Sequence, residues 1–275
     1  MADYFDEGFK LTMSGLEKGL QVAHITTSPV QGCESDEEIA TVLDKPHLSD
    51  FDMIPVRRND KIVGIIKRDS CPRVGLASDC MHPLDESVLI SAEVPLLEFI
   101  NSGPLDRLVL RGTKIDGIVT RSDFLKLPVR LLGFSLVTHV ETLMSNIIRR
   151  AGVAEQTWLA YLVRGRRDAI LKKQKRLRLK HANPDLLEHT YFSDKRVILK
   201  QLLDSKETVI HELLDQEALD QLKEINELRN TVAHTGNDIE SQDPIQDFIG
   251  RLRLAQEWIS NFQDILAQQG ESEAV

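Results

Sequence analysis

A cationic, an amide and an imidazole side chain lie close together near the end of this chain. Arg229 and Asn230 are adjacent, and His234 follows Asn230 by four residues, a spacing that places two side chains on one face of an α-helix. An imidazole can take a proton from a ribose hydroxyl or give one to a leaving oxygen. A guanidinium can stabilise the charge that grows on a phosphate, and an amide can orient either group. These residue types together could cleave RNA without a metal ion.

The helix that must position these side chains is indicated by its apolar spacing. Apolar residues recur at steps of three or four: Leu222, Ile225, Leu228 and Val232. This pattern predicts one buried stripe on an α-helix. Gly236 then supplies the left-handed residue that ends the helix, so that His234 falls in the last turn. A cation and a histidine at a helix end also complement the helix dipole, which is the alternative that requires no catalysis.

The segment 228–234 resembles the Arg-Asn-x-x-x-His signature of the HEPN superfamily, many of whose members are metal-independent endoribonucleases. The upstream segment 191–194 resembles a second HEPN segment. The resemblance implies that Arg229, Asn230 and His234 form the catalytic set, and that two copies of this set meet across a homodimer or higher oligomer. Some HEPN domains bind a nucleotide or a partner without cleaving RNA.

The first half of the chain contains two similar repeats, each a helix-like segment followed by two short apolar runs. The segments are helix 37–43 with runs 53–56 and 62–66, then helix 94–100 with runs 107–110 and 115–119. Turn-forming residues divide the runs of each pair, which predicts two β-hairpins. The order recurs after about fifty residues, which indicates an internal duplication.

The second apolar run of the second repeat leads into the sequence Gly-Ile-Val-Thr-Arg-Ser-Asp at 117–123. With the repeat, this sequence resembles the tandem CBS domain, a pair of β-α-β-β-α units that typically binds adenosine nucleotides. The first repeat departs from the pattern, because Lys67 stands where Thr is expected and Ser70 where the ribose-binding Asp is expected. The resemblance therefore implies one nucleotide site, in the second repeat. The corresponding site of the first repeat is either degenerate or uses its basic residues Lys67 and Arg68 differently.

The residues that match the CBS pattern have chemistry suited to AMP, ADP or ATP. The implied site consists of Gly117, Thr120, Arg121 and Asp123. The hydroxyl and backbone amide of Thr120 would meet a phosphate at the start of the next helix, and Asp123 would accept hydrogen bonds from ribose hydroxyls. Arg121 or Lys126 would add positive charge. Thr120 and Asp123 are also common helix caps, which is the structural alternative.

The second half of the chain is predicted to be helical throughout, in the segments 131–150, 191–203, 209–234 and 243–269. Glu141 and His139 on the first of these helices either face the RNA site or are solvated. Between 157 and 180, nine Lys and Arg residues are opposed by Asp168 alone. This segment is either a solvated helix face or the electrostatic footprint of an RNA substrate, and the sequence favours neither.

Composition and charge exclude several classes of protein. With 41% hydrophobic and 28% charged residues, the 275-residue chain has an ordinary soluble composition and room for two domains. A net charge of -9 argues against a generally basic nucleic-acid coat, so any RNA contact is expected to be local. We expect no membrane association, because no apolar run approaches transmembrane length and the N-terminus lacks a signal sequence. Three cysteines without metal-ligand spacing favour a cytoplasmic location and no bound metal.

The sequence therefore predicts an α+β protein in which a tandem CBS domain precedes an all-α, HEPN-like helical bundle. The predicted divisions are an N-terminal helix at 1–20, CBS repeats at 21–75 and 76–130, the helical domain at 131–270, and a disordered tail at 271–275. The implied function is a metal-independent endoribonuclease regulated by an adenine nucleotide, in a stress response or in phage defence as a toxin with a cognate antitoxin or partner protein. The alternative is a non-enzymatic nucleotide-sensing adaptor.

Overall fold

The computed structural model describes residues 2–179, 185–205, 216–233 and 243–272. The chain divides into two compact units, Met1–Leu132 and Gly133–Val275. The first unit combines short helices with two small sheets, and the second is helical over its described residues. The mixed α+β class predicted from the sequence is confirmed.

The first unit contains four α-helices and seven strands. Its helices are α1 (Ala2–Gly19), α2 (Ile39–Leu43), α3 (Ala77–Cys80) and α4 (Leu96–Asn101). Its strands are β1 (Cys33–Glu34), β2 (Met53–Arg58), β3 (Lys61–Lys67), β4 (His82–Pro83), β5 (Leu89–Ser91), β6 (Arg107–Arg111) and β7 (Lys114–Val119). They form one sheet in the order β1-β2-β3-β4 and another in the order β5-β6-β7.

The two sheets repeat one arrangement, as the sequence predicts. In each, a short strand pairs in parallel with the next, which then forms an antiparallel hairpin with the third. The first hairpin turns at Asn59 and Asp60, whose φ angles of 52° and 62° lie in the left-handed region. Positive φ at both central residues is the geometry that a two-residue hairpin turn prefers. Both predicted hairpins are therefore confirmed.

The two repeats also exchange short segments. Strand β4 lies in the second repeat, yet it pairs with β3 of the first, with Gly64 opposite Pro83. The segment before β1, in the first repeat, behaves in the same way, since Thr27 pairs antiparallel with Ile118 of β7 in the second. Residues of both repeats share one hydrophobic cluster: Met53, Ile65, Val88, Leu108 and Ile118. The two repeats of the first unit are therefore packed as one body.

The second unit is built from long helices. They are α5 (Leu127–Arg150), which begins in the first unit, α6 (Glu155–Tyr161), α7 (Arg164–Arg178), α8 (Phe192–Ser205), α9 (Gln216–Ala233) and α10 (Pro244–Ser272). Helix α9 packs against α8 and α10. Gly133 of α5 lies against α9 and α10, because a Cβ there would approach Val232 to 2.9 Å and Leu252 to 3.1 Å. The apolar faces of these helices thus form the core of the unit.

Helices α5 and α10 extend beyond the domain boundary and the tail boundary that the sequence predicts. Helix α5 begins at Leu127, four residues before the predicted start, because Pro128 lies in its first turn, where its missing N–H has no helical partner to lose. Helix α10 runs to Ser272, two residues into the predicted disordered tail.

Helix α5 is long and apolar. In the described part of the chain it is the one helix whose length and mean hydropathy of 1.3 would suffice to cross a membrane, which corrects the expectation of no such run. However, 67% of that apolar window is buried inside the protein, as in the core helix of a folded domain.

Candidate functional site

Gly117 marks the place where a distant segment crosses strand β7. Thr27 exchanges two backbone hydrogen bonds with Ile118, at 2.8 and 3.0 Å. A Cβ atom at position 117 would overlap the side chain of Thr26 and lie 2.9 Å from the carbonyl oxygen of Thr27. The glycine of the predicted nucleotide motif is therefore required by this backbone contact.

Thr120 and Asp123 close the first turn of a 3-10 helix at Arg121–Leu125. Asp123 Oδ2 accepts a hydrogen bond from the Thr120 backbone N–H at 2.7 Å and from its hydroxyl at 3.1 Å. The Thr120 hydroxyl also lies 3.0 Å from Ser122 Oγ. This arrangement is the helix cap that the sequence offers as the structural alternative to a nucleotide site.

The other oxygen of Asp123 is also engaged. Oδ1 accepts a hydrogen bond from the Thr27 hydroxyl at 2.8 Å and lies 2.7 Å from Lys126 Nζ. The Lys126 ammonium also donates to the Ile25 carbonyl at 2.6 Å and to the Thr27 hydroxyl at 2.9 Å. Because Asp123 is only 5% exposed, a ribose hydroxyl would have to displace Thr27 or Lys126 to reach Oδ1.

A second carboxylate lies at the start of the same turn. The Arg121 backbone N–H donates a hydrogen bond to Asp106 Oδ1 at 3.1 Å. Burial raises the pKa of Asp106 and nearby Asp52 adds to the rise, whereas the hydrogen bond from Arg121 opposes it. A bound phosphate would meet this negative charge, so its binding would depend on Arg121 and Lys126 to offset it.

The corresponding turn of the first repeat has a different construction. The Arg68 guanidinium donates to the backbone carbonyls of Phe51, Leu43 and Leu48. It therefore cross-links the loop between α2 and β2 instead of pointing to an open site. Lys67, which stands where the family pattern has Thr, is exposed.

The predicted stripe of helix α9 is confirmed. Leu222, Ile225 and Leu228 are fully buried, and Val232 is nearly so. Arg229 and Asn230 lie off this stripe near the helix end, with Arg229 half-buried and Asn230 exposed.

Two of the three predicted catalytic residues are thus placed together at the end of α9. Within the described ranges, the side chains of Arg229 and Asn230 form no hydrogen bond or ion pair with another residue. His234 and Gly236 lie outside the described residues.

The segment that resembles a second HEPN motif is held by an ion pair. Asp194 is buried, and the Arg166 guanidinium donates to its two oxygens at 3.1 and 2.5 Å. Asp194 also caps α8 by accepting the Tyr191 backbone N–H at 2.8 Å. The same guanidinium stacks over the Tyr191 ring at 4.0 Å. This bidentate, stacked contact fixes α7 against the start of α8.

A buried lysine follows immediately. Lys195 is 3% exposed, and its ammonium lies 2.8 Å from Glu141 Oε1 and 3.0 Å from the Thr190 carbonyl. Burial lowers the pKa of Lys195, and the charge of Glu141 opposes this shift. Glu141 is thus ion-paired, and His139 is buried at 5% exposure. The alternative that these two residues are simply solvated is wrong, and the alternative that they face RNA stays a prediction.

An open groove runs between α9 and α10. Its charged lining comprises four carboxylates and two cations: Asp220, Glu224, Glu227, Asp247, Lys223 and Arg251. Arg251 is bound to Glu227 at 3.0 Å. Asn230 follows Glu227 by one helical turn, so this acidic groove adjoins the predicted catalytic helix end.

Sequence reasoning missed three contributors to these sites. Thr27 completes the Asp123 site from 96 residues away, and no local pattern marks it. Asp106 directly precedes β6, and Asp52 directly precedes β2. The two carboxylates therefore occupy equivalent positions in the two repeats, and an alignment of the repeats would reveal them. Lys195 sits in an amphipathic helix where a surface position is the normal expectation for lysine.

The chain matches no protein-family model and no curated protein. It is similar to solved CBS-domain structures over less than half of its length. The CBS domain of a membrane protein from Sphaerobacter thermophilus is 20% identical, over 44% of this chain and 96% of that chain, with a TM-score of 0.35. The CBS domain of a bacterial CNNM/CorC family Mg²⁺ transporter, solved in complex with ATP, is 18% identical, over 43% of this chain and 92% of that chain, with a TM-score of 0.33. A protein from Methanocaldococcus jannaschii is 14% identical, over 78% of this chain and 99% of that chain, with a TM-score of 0.36.

Proposed function

We propose that this protein is a metal-independent endoribonuclease of the HEPN type, regulated by an adenine nucleotide. The observation that carries the proposal is the position of Arg229 and Asn230. They lie together near the end of a helix whose apolar stripe is firmly buried, and they project from that helix off the stripe. A rigid support of this kind is what a preorganised phosphate site requires.

The guanidinium of Arg229 differs from others in the same unit. Those of Arg166 and Arg251 are each bound to a carboxylate, whereas among the described residues Arg229 has no such bond. A half-buried guanidinium that is not paired with any described carboxylate can donate two hydrogen bonds to a phosphate. This supports a role in binding the scissile phosphate.

In the proposed reaction His234 takes the proton from a ribose 2′-hydroxyl, and the 2′-oxygen attacks the adjacent phosphorus. Arg229 stabilises the negative charge of the pentavalent phosphate, and Asn230 orients the reacting groups. The bond from phosphorus to the 5′-oxygen breaks, and that oxygen receives a proton from an imidazolium. The products are a 2′,3′-cyclic phosphate and a 5′-hydroxyl. In a homodimer, the second copy of the motif would supply the imidazolium.

We place the regulatory nucleotide at Gly117, Thr120, Arg121 and Asp123. Its ribose would replace the Thr27 hydroxyl or the Lys126 ammonium at Asp123. Lys126 directly precedes α5, the helix that continues into the second unit. A ligand shifts an equilibrium only through different affinities for the two states, so this exchange at Lys126 would have to favour one arrangement of the dimer.

The test is cleavage of a labelled single-stranded RNA in excess EDTA. Wild type is compared with Arg229→Ala, His234→Ala and Lys223→Ala, an exposed change on the same helix that serves as a matched control. We expect the first two variants to lose about 100-fold or more in rate and the control to retain the wild-type rate. Cyclic-phosphate ends formed by wild type and control alone would support the assignment. Equal inertness of all four proteins, with and without AMP or ATP, would refute it.

A second candidate is the nucleotide-sensing adaptor without nuclease activity. The acidic groove between α9 and α10 favours it, because four carboxylates beside Asn230 repel RNA and suit a basic peptide or protein partner. In that case Asp123→Asn would abolish nucleotide binding, while none of the helical-unit variants would change the amount of intact RNA.

A further inference from the structure

Helix α7 presents a strongly basic face on a protein that is acidic overall. Six of its Lys and Arg residues are exposed: Arg164, Lys172, Lys173, Lys175, Arg176 and Arg178. Asp168 is the one carboxylate on the helix, and it lies 3.8 Å from Arg164 at its first turn. The remaining five basic residues are concentrated in the last two turns. The net charge of the whole chain is -9, so this face is a local reversal of sign.

The opposite side of α7 is buried against the rest of the second unit. Ile170 and Gln174 are buried one turn apart, at 2% and 8% exposure. Arg166 lies on the same side and is bound to the buried Asp194. Residues at these spacings share one face of a helix. The contacts therefore fix the rotation of α7 about its axis and hold the basic face toward solvent.

We propose that this face binds the sugar–phosphate backbone of the RNA, which deepens the proposed function by assigning its substrate-docking surface. A helix of this length extends for about 22 Å, long enough to follow several phosphates of one strand. Exposed cations along a helix can neutralise phosphates without reading the bases. The binding is therefore independent of sequence and sensitive to salt.

A membrane surface is the other polyanion that a basic helix can bind, and the packing of α7 disfavours it. A helix that lies in a membrane interface inserts an apolar face among the lipids. The apolar stripe of α7 is instead covered by the protein at Ile170. Leu171 and Leu179 are exposed, but Lys175 lies one turn from each of them, so they do not form a continuous apolar stripe. Charge complementarity without apolar insertion fits a nucleic acid.

The test is the salt dependence of binding to a fluorescein-labelled 2′-O-methyl oligouridine, which lacks the hydroxyl nucleophile and stays intact. The α7 variant carries Lys172→Gln, Lys173→Gln and Lys175→Gln. The control carries Lys61→Gln, Lys114→Gln and Lys200→Gln, three exposed lysines elsewhere, so both full-length proteins lose the same charge. Glutamine has nearly the helix propensity of lysine, and circular dichroism checks that α7 is retained.

We expect the α7 variant to bind at least tenfold more weakly at low salt and the control to bind within about twofold of wild type. The slope of log affinity against log salt should fall by about 2 in the α7 variant, because each contact with a single-stranded phosphate contributes about 0.7. Equal loss in both variants, or binding of wild type that does not respond to salt, overturns the inference. So does α7-dependent binding to phosphatidylserine vesicles without binding to the oligouridine.

Failure of this inference is distinguishable from failure of the nuclease. If wild type cleaves ordinary RNA while both triple variants bind alike, the docking surface is wrong and the nuclease stands. If no cleavage occurs but binding depends on α7, the docking surface stands and the catalytic assignment is wrong. If both are correct, the α7 variant raises KM and leaves kcat near the wild-type value, since no reacting group is changed.

Discussion

Asp123 and Thr27 lie 96 residues apart in the sequence, and their side chains are joined by a hydrogen bond of 2.8 Å. The carboxylate that the CBS-like pattern predicts for nucleotide binding is therefore built into the packing of the first unit. The same segment of backbone pairs with β7 at Ile118. A ligand that engages Asp123 would act on this contact, and so would a substitution at either residue.

Thr27→Val removes the hydroxyl while keeping the shape of the side chain. We expect the free energy of unfolding to fall by about 1.5 kcal/mol, because a hydrogen bond to a charged group is lost in a partly buried place. Urea unfolding measures the change, with Thr113→Val at an exposed turn as the control, expected within about 0.5 kcal/mol of wild type. A Thr27 variant as stable as the control would show that Lys126 alone satisfies Asp123 Oδ1.

Gly117→Ala tests the close approach of the Thr26 and Thr27 backbone to β7. A methyl group there has no space, so we expect a loss of about 2 kcal/mol or more from overpacking. The matched control is Gly250→Ala in α10, where nothing lies within 4 Å of the added Cβ. Because alanine favours a helix over glycine, the control should gain about 0.5 to 1 kcal/mol. Similar urea midpoints for the two variants would contradict the assigned role of Gly117.

The sequence predicts those parts of the fold that depend on local pattern. Short apolar runs divided by turn residues predict both hairpins, and the three- and four-residue spacing predicts the buried stripe of α9. The exchange of β4 and of the Thr27 segment between repeats was not predictable, because it depends on pairings between residues far apart in sequence. The start of α5 at Leu127 is not predictable from Pro128, because a proline inside the first turn and one that stops a helix look alike in sequence.

In the candidate sites too, the parts that depend on local sequence are predictable and the parts that depend on distant contacts are not. The segment 117–123 is local, and the structure brings its residues together at one strand end. Whether Asp123 is open to a ligand depends on Thr27 and Lys126, and sequence spacing does not reveal such cover. For the proposed nuclease site, the helix register of Arg229 and Asn230 follows from periodicity, whereas the acidic groove beside them arises from the packing of α10 against α9.

Asp106→Asn probes the carboxylates around the predicted phosphate position. Burial raises the pKa of Asp106 above its ordinary value of 3.8, so the folded state holds its proton to higher pH than the unfolded state does. Stability from this group is present at low pH and is lost as pH rises through the raised pKa. The free energy of unfolding of wild type relative to Asp106→Asn should therefore decrease as pH rises above about 4. Urea titrations across this range test the sign, and a difference that grows with pH contradicts it.

Glu141 and Lys195 provide the sharpest test of the helical unit. Glu141→Gln removes the negative charge that offsets a buried ammonium 2.8 Å away, so we expect a loss of about 3 kcal/mol at neutral pH. Glu141→Leu combined with Lys195→Met replaces the pair by apolar groups of similar volume and should lie close to wild type.

The loss in Glu141→Gln should also depend on pH in a defined direction. Burial lowers the pKa of Lys195 below its ordinary value of 10.5, and removing Glu141 takes away the charge that opposes this shift. Between the lowered pKa and that of the unfolded chain, the unfolded state binds more protons, so stability rises with pH. The deficit of Glu141→Gln should accordingly shrink as the solution becomes alkaline, because the folded protein can then lose the unpaired proton. Urea unfolding followed by tryptophan fluorescence at neutral and alkaline pH measures it. A deficit that stays constant would mean that Lys195 reaches water or another carboxylate once Glu141 is gone.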